Sequence, residues 1–134
     1  MPPEGTPAAP IFFIDRSLGR RHVAEALRSA GAEVVIHDDV FSQNATDTEW
    51  LDEAGRRGWI VLTKDDAIRR HPQERHMVET GGVRMFALTA RNLVGTEMAD
   101  LFVRVLFGMQ HRATTVKPPF IFAISRLGVF TRVL

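Results

Sequence analysis

Apolar positions along this chain follow two alternating patterns: short unbroken runs, and longer stretches in which they recur every three or four residues. The unbroken runs are Ile11 to Ile14, Val34-Val35-Ile36 within Glu33 to His37, Trp59 to Thr63, and Val83 to Thr89. Runs of this length predict strands covered on both faces. Between them lie segments with helical spacing. Arg16 to Ala30 places Val23, Leu27 and Ala30 on one face and leaves Arg20, Arg21 and Arg28 to water, with Gly31 as a stop. Thr46 to Arg57 turns Trp50, Leu51 and Ala54 inward and stops at Gly58. Asp66 to Thr80 reads as an interrupted helix, restarted by Pro72 at a first helical position, with Met77 and Val78 as apolar contacts and Gly81-Gly82 as the end. Asp38 to Ala45 reads as a loop.

The last third predicts one long helix capped by Thr96, with Met98, Leu101, Phe102, Val105, Leu106 and Met109 along a single wide stripe. Phe120 to Ile124 and Val129 to Leu134 then read as an antiparallel hairpin around Arg126-Leu127-Gly128. Repeated alternation of strand and helix implies an α/β fold: a mainly parallel sheet with helices on both faces, closed by the C-terminal antiparallel hairpin. Sites in such sheets lie beyond the carboxyl ends of the strands.

Composition adds bounds. The 134 residues are 45% hydrophobic and 25% charged, with a net charge of +1. That suits one soluble domain, expected over 11–134, and gives no global pull towards polyanions. The first ten residues hold four of the seven prolines and are expected to form a flexible tail over 1–10. Cysteine is absent, which excludes disulfides and thiolate metal sites and agrees with a cytoplasmic setting. No apolar run nears the roughly 20 residues that span a bilayer, and no secretory signal is visible.

Acidic residues mark the chemistry. Asp15 ends the first strand, Asp47 and Glu49 open the second helix, and Asp65-Asp66 come directly after the third strand. Each has an ordinary alternative. Asp15 could cap the next helix, Thr46-Asp47-Thr48-Glu49 fits a capping box, and one of Asp65 and Asp66 could cap the third helix. If the strands are parallel neighbours, however, the three acidic positions meet at one end of the sheet, where they would repel unless a cation joined them. Carboxylates and water suit Mg²⁺ or Mn²⁺, as one ion or two, activating water and stabilising a leaving oxygen. Lys64, Arg69, Arg70, His71, Arg75 and His76 flank Asp65-Asp66, and Arg16, Arg20 and Arg21 come after Asp15. Cations around carboxylates are what a phosphodiester substrate needs. Lys64, Arg16, Arg69 and Arg70 are the candidates to hold its phosphates. His71 and His76 lack zinc spacing. No glycine-rich phosphate loop and no serine-nucleophile signature is present.

Phe13-Ile14-Asp15-Arg16-Ser17-Leu18-Gly19, Asp47-Thr48-Glu49-Trp50-Leu51 and Val61-Leu62-Thr63-Lys64-Asp65-Asp66 together resemble the PIN-like domains, nearest to the VapC-type toxin branch. The resemblance runs from about Ile11 to the C-terminal hairpin. It implies a Rossmann-like sheet and a ribonuclease dependent on Mg²⁺ or Mn²⁺. Asp15, Asp47, Glu49 and Asp65 would be its acids and Asp66 a further candidate ligand. It also implies an RNA substrate, a cognate antitoxin whose tail fills the groove, and a possible homodimer through the long apolar helix. One departure is visible. The longer PIN pattern has another acid after the fourth strand, where this chain has Thr89-Ala90-Arg91-Asn92. Two rival readings are a receiver-like switch phosphorylated on aspartate, and an inactive PIN-like scaffold that binds RNA or protein.

Overall fold

The four apolar runs become neighbouring parallel strands in the computed structural model, which describes residues 10–64 and 71–134. Residues 1–9 of the expected tail, and Asp65, Asp66, Arg69 and Arg70, lie outside the described residues. β1 (Ile11–Ile14) is followed by a 3₁₀ turn (Arg16–Leu18) and α1 (His22–Ser29). Next come β2 (Glu33–Ile36), α2 (His37–Val40), α3 (Asp47–Arg57) and β3 (Ile60–Lys64). α4 (Pro72–Gly81), β4 (Arg84–Leu88), α5 (Gly95–Arg104), α6 (Leu106–Thr115), β5 (Phe120–Ile124) and β6 (Phe130–Arg132) complete the order. Among the described residues six strands form one sheet in the order β2-β1-β3-β4-β5-β6. Every pair is parallel except β5 with β6.

Alternation along the strands divides the core in two. Phe12, Ile14, Leu62, Phe86, Leu88, Phe120 and Ile124 face α1, α5 and α6, meeting Val23, Leu27, Leu101, Phe102 and Met109. Phe13, Val61, Met85, Ala87 and Ile121 face α3 and α4, meeting Trp50, Leu51, Ala54 and Val78. Helices therefore cover both faces, as expected of runs that are apolar at every position.

Several local expectations are corrected. The apolar run at β2 predicts a buried strand, but β2 is an edge strand and only Ile36 is fully covered. The helix expected over Arg16 to Ala30 is broken because Gly19, at φ 80°, takes a positive-φ conformation that helices do not contain. The loop after β2 begins with one helical turn, α2. Thr96 is not an N-cap. The Glu97 carboxylate accepts a hydrogen bond from Val94 N–H at 3.0 Å, so α5 starts at Gly95. The long helix divides at Val105, whose ψ of 8° leaves the helical range. Its stripe nevertheless continues, and Met98, Leu101, Phe102, Val105, Leu106 and Met109 are all buried. Pro72 does open α4 at its first turn.

α3 and α4 lie on the same sheet face in successive crossovers between parallel strands, so they run parallel to each other. They pack against each other directly. They meet at Gly55, where a Cβ would strike the carbonyl oxygen of Gly81. Glycine is required there by contact rather than by its dihedral freedom.

Candidate active site

The register of β1 and β3 sets the first element of the site. Ile14 pairs with Leu62, and Asp15 N–H donates to Leu62 O at 3.0 Å. Asp15 is therefore fixed at the carboxyl end of the sheet beside Thr63. Thr63 is 1% exposed, and its hydroxyl donates to Asp15 Oδ2 at 2.7 Å. The Ser17 hydroxyl donates to the same oxygen at 2.7 Å and accepts from Lys64 N–H at 3.1 Å. Two donors thus hold Oδ2, and among the described residues none engages Oδ1. The side chain of Asp15 makes no capping hydrogen bond, so the ordinary reading of this residue as a helix cap does not apply.

α3 begins with the capping box expected from its sequence. Thr46 Oγ1 accepts from Glu49 N–H at 3.3 Å, and Glu49 Oε2 accepts from Thr46 N–H at 3.2 Å. The cap is complete without Asp47, whose Oδ1 instead accepts from the Trp50 indole N–H at 2.9 Å. Glu49 is committed to the cap through one oxygen, whereas Asp47 is oriented by a buried ring.

Helix geometry brings a third carboxylate to Asp47. Counting back from the contact at Gly55 and Gly81, Asp47 lies eight residues earlier, about 12 Å, and Glu74 seven residues earlier, about 10.5 Å. Because the helices are parallel, those matched rises set Glu74, in the first turn of α4, level with Asp47. Burial, the neighbouring Asp47 carboxyl and then the Asp15 charge push the Glu74 carboxyl up to about 8. Its Oε2 is buried and has no hydrogen-bond partner. Asp15, Asp47 and Glu74 therefore lie within reach of one another's charge. Among the described residues no three acidic or imidazole side chains close into a finished ion cage.

The donor chemistry fits a hard divalent cation. The candidates are carboxylate oxygens, one of them buried without a partner, and a positive ion between them would relieve their mutual repulsion. Asp15, Asp47 and Glu74 are the described carboxylates that would have to approach such an ion, and Asp65 comes directly after Lys64 in sequence. The candidate phosphate-holding cations are placed less simply. Arg16 Nε lies 3.8 Å from Asp38 Oδ1, and its Nη1 donates to Gln43 O at 2.9 Å. Arg20 approaches the same carboxylate at 3.5 Å. Lys64 is half-buried at the end of β3. Arg75 donates to Val133 O and serves the fold. His37, the residue after β2, is buried against Phe13, Phe41 and Trp50 with Nδ1 3.2 Å from Asp38.

Sequence reasoning missed Glu74, Ser17 and Thr63. Glu74 stands between His71 and Arg75-His76 and was hidden by that basic context. The available signal was Pro72, which fixes the start of the helix and so puts Glu74 in its first turn, as Asp47 is in the first turn of α3.

Acids gathered at the carboxyl end of a parallel sheet define a class, and sequence comparison agrees with it. The chain belongs to the PIN-like domain family: the family model described as "PIN like domain" matches residues 10–90, more than half of the chain. A relative from Mycobacterium tuberculosis, named "Putative ribonuclease VapC45", is 30% identical over 117 residues, 84% of this chain and 84% of its own. No solved structure gives a significant match.

Proposed function

We propose that this chain is a metal-dependent endoribonuclease and the toxin of a toxin–antitoxin pair, a single domain over 11–134 acting on RNA in the cytoplasm. The observation that carries the reading is Asp15. Its Oδ2 is fixed by two hydroxyl donors at the carboxyl end of β1, and Glu74, beside Asp47, lies within range of its charge. The similarity to a relative named as a VapC ribonuclease supports the same activity, and by extension a cognate antitoxin as partner.

In this reading Asp15, Asp47 and Asp65 would hold Mg²⁺ or Mn²⁺, with Asp66, next in sequence, a further candidate. Glu49 keeps its cap and would contribute its second carboxylate oxygen to the site. The ion supplies Lewis-acid stabilisation of charge on the phosphoryl oxygens and lowers the pKa of water. The protein does the rest. Ser17 and Thr63 hold Asp15 in one orientation, Trp50 does the same for Asp47, and Lys64, Arg16, Arg69 and Arg70 position the phosphate backbone.

The test is cleavage of RNA with and without Mn²⁺ by the wild type and by Asp15→Asn, Asp47→Asn and Asp65→Asn. Each substitution is expected to lower metal-dependent cleavage at least 100-fold while the circular dichroism spectrum stays native. Wild-type cleavage in Asp15→Asn would refute the assignment.

A further inference from the structure

The turn after the fourth strand supplies no acid to the site. β4 ends at Leu88, and the next residues are Thr89, Ala90, Arg91 and Asn92. Asn92 adopts a left-handed conformation, φ 62°, as turn residues do. A carboxylate does reach the site from another element. Glu74 occupies the first turn of α4, level with Asp47 across the parallel pair of helices that touch at Gly55 and Gly81.

The ordinary explanation of an acid in a first turn is the helix macrodipole. Such residues normally point to water, where their oxygens are satisfied. Glu79, at the other end of the same helix, is exposed. Glu74 differs: it lies against the Asp47 carboxyl, and its Oε2 is buried without a hydrogen-bond partner. Burying a carboxylate oxygen among other carboxylates without a partner is unfavourable. A first-turn dipole contact, which solvent can satisfy, does not explain it. A divalent cation, taking the place of a shared proton, satisfies such an oxygen.

We propose that Glu74 is a direct carboxylate ligand of the divalent ion, supplied by the first turn of α4. This rests on the reading of the site as a metal-dependent nuclease. The ion would then be held between the starts of two helices that already pack against each other and the end of β1.

The experiment is calorimetric titration of Mn²⁺ into the metal-stripped full chain, with thermal unfolding in EDTA and in Mn²⁺. The proteins are the wild type, Asp15→Asn, Glu74→Gln and, as a control on the same helix, Glu79→Gln. Glu74→Gln is expected to weaken Mn²⁺ at least tenfold and to lose most of the Mn²⁺-induced rise in Tm. In EDTA it is expected to melt no lower than the wild type, an inversion that a purely structural role for Glu74 would not give. Glu79→Gln is expected to match the wild type throughout. If Asp15→Asn loses Mn²⁺ and Glu74→Gln keeps wild-type affinity, the proposal falls and the nuclease reading stands. If the wild type binds no Mn²⁺, both fall.

Discussion

Removing the charge of Glu74 makes a sharp and opposite-sided prediction about stability. The group has an ordinary value of 4.5 and is held at about 8 in the folded chain, first by burial and then by Asp47 and Asp15. The folded state therefore keeps a proton that the unfolded state releases as pH rises through 4.5. Where the folded state binds more protons, stability falls with pH. The stability associated with this group is fully present below pH 4.5, declines through the interval, and levels off above about 8. A gap of about 3.5 pH units corresponds to a ceiling of about 5 kcal/mol for a fully desolvated group. Glu74 is only half-buried, and water screens much of that, leaving about 1–2 kcal/mol. Glu74→Gln keeps the shape and removes the titration. In EDTA, urea unfolding of both proteins followed by the fluorescence of Trp50 and Trp59 should coincide near pH 5. The variant should then be more stable by about 1–2 kcal/mol at pH 8.5. Every other group is common to both proteins and cancels in the difference. Saturating Mn²⁺ should reverse the order, because an ion that needs the ionised carboxylate stabilises only the wild type. Parallel pH profiles in EDTA would show that Glu74 is not held among carboxylates at all.

Other substitutions separate positioning from packing. Thr63→Val removes one of the two donors to Asp15 Oδ2. It should lower stability by about 1–2 kcal/mol in urea and weaken Mn²⁺ less than Asp15→Asn does. Gly55→Ala drives a methyl into Gly81 O; it should destabilise by about 1–3 kcal/mol and also weaken Mn²⁺, since it pries apart the helices that carry Asp47 and Glu74. Thr46→Ala should cost about 1 kcal/mol of stability through loss of the cap. Glu49→Gln retains the capping geometry, because glutamine serves in the box as well. It should leave urea stability unchanged and reduce Mn²⁺ affinity less than fivefold, and a loss as large as that of Asp15→Asn would make Glu49 a direct ligand.

Period and punctuation made most of the architecture legible. Unbroken runs at Ile11, Trp59 and Val83 could be read as covered strands, and the stops at Gly58 and Gly82 were correct because both adopt left-handed φ. Edges and breaks were less legible. Nothing in Val34-Val35-Ile36 says that β2 has a neighbour on one side only, since strand order is a tertiary property. The break at Gly19 was missed because glycine within a helical pattern is often tolerated. At the site, Asp15 and Asp47 could be named because they sit at the ends of recognisable elements. Glu74 could not be, because its partner is chosen by how two helices pack. The hydroxyls of Ser17 and Thr63 carry no nucleophile signature in the sequence, and their work here, holding a carboxylate still, depends on contacts that only the folded chain makes.

The sheet order β2-β1-β3-β4-β5 is one that doubly wound α/β folds use for many purposes, including phospho-aspartate switches. Fold alone therefore leaves the receiver-like reading open, and the origin of the acids argues against it. A switch of that kind expects an acid pair after the first strand. Here Asp15 stands alone after β1, flanked by Arg16, and the carboxylates that join it come from the first turns of α3 and α4. That origin has an energetic consequence. Two parallel helices direct the positive ends of their dipoles at the same point, which offsets part of the repulsion among Asp15, Asp47 and Glu74 before any cation arrives. The remainder is relieved by a proton retained on Glu74. A cluster that holds a proton in order to coexist suits the exchange of that proton for a divalent ion.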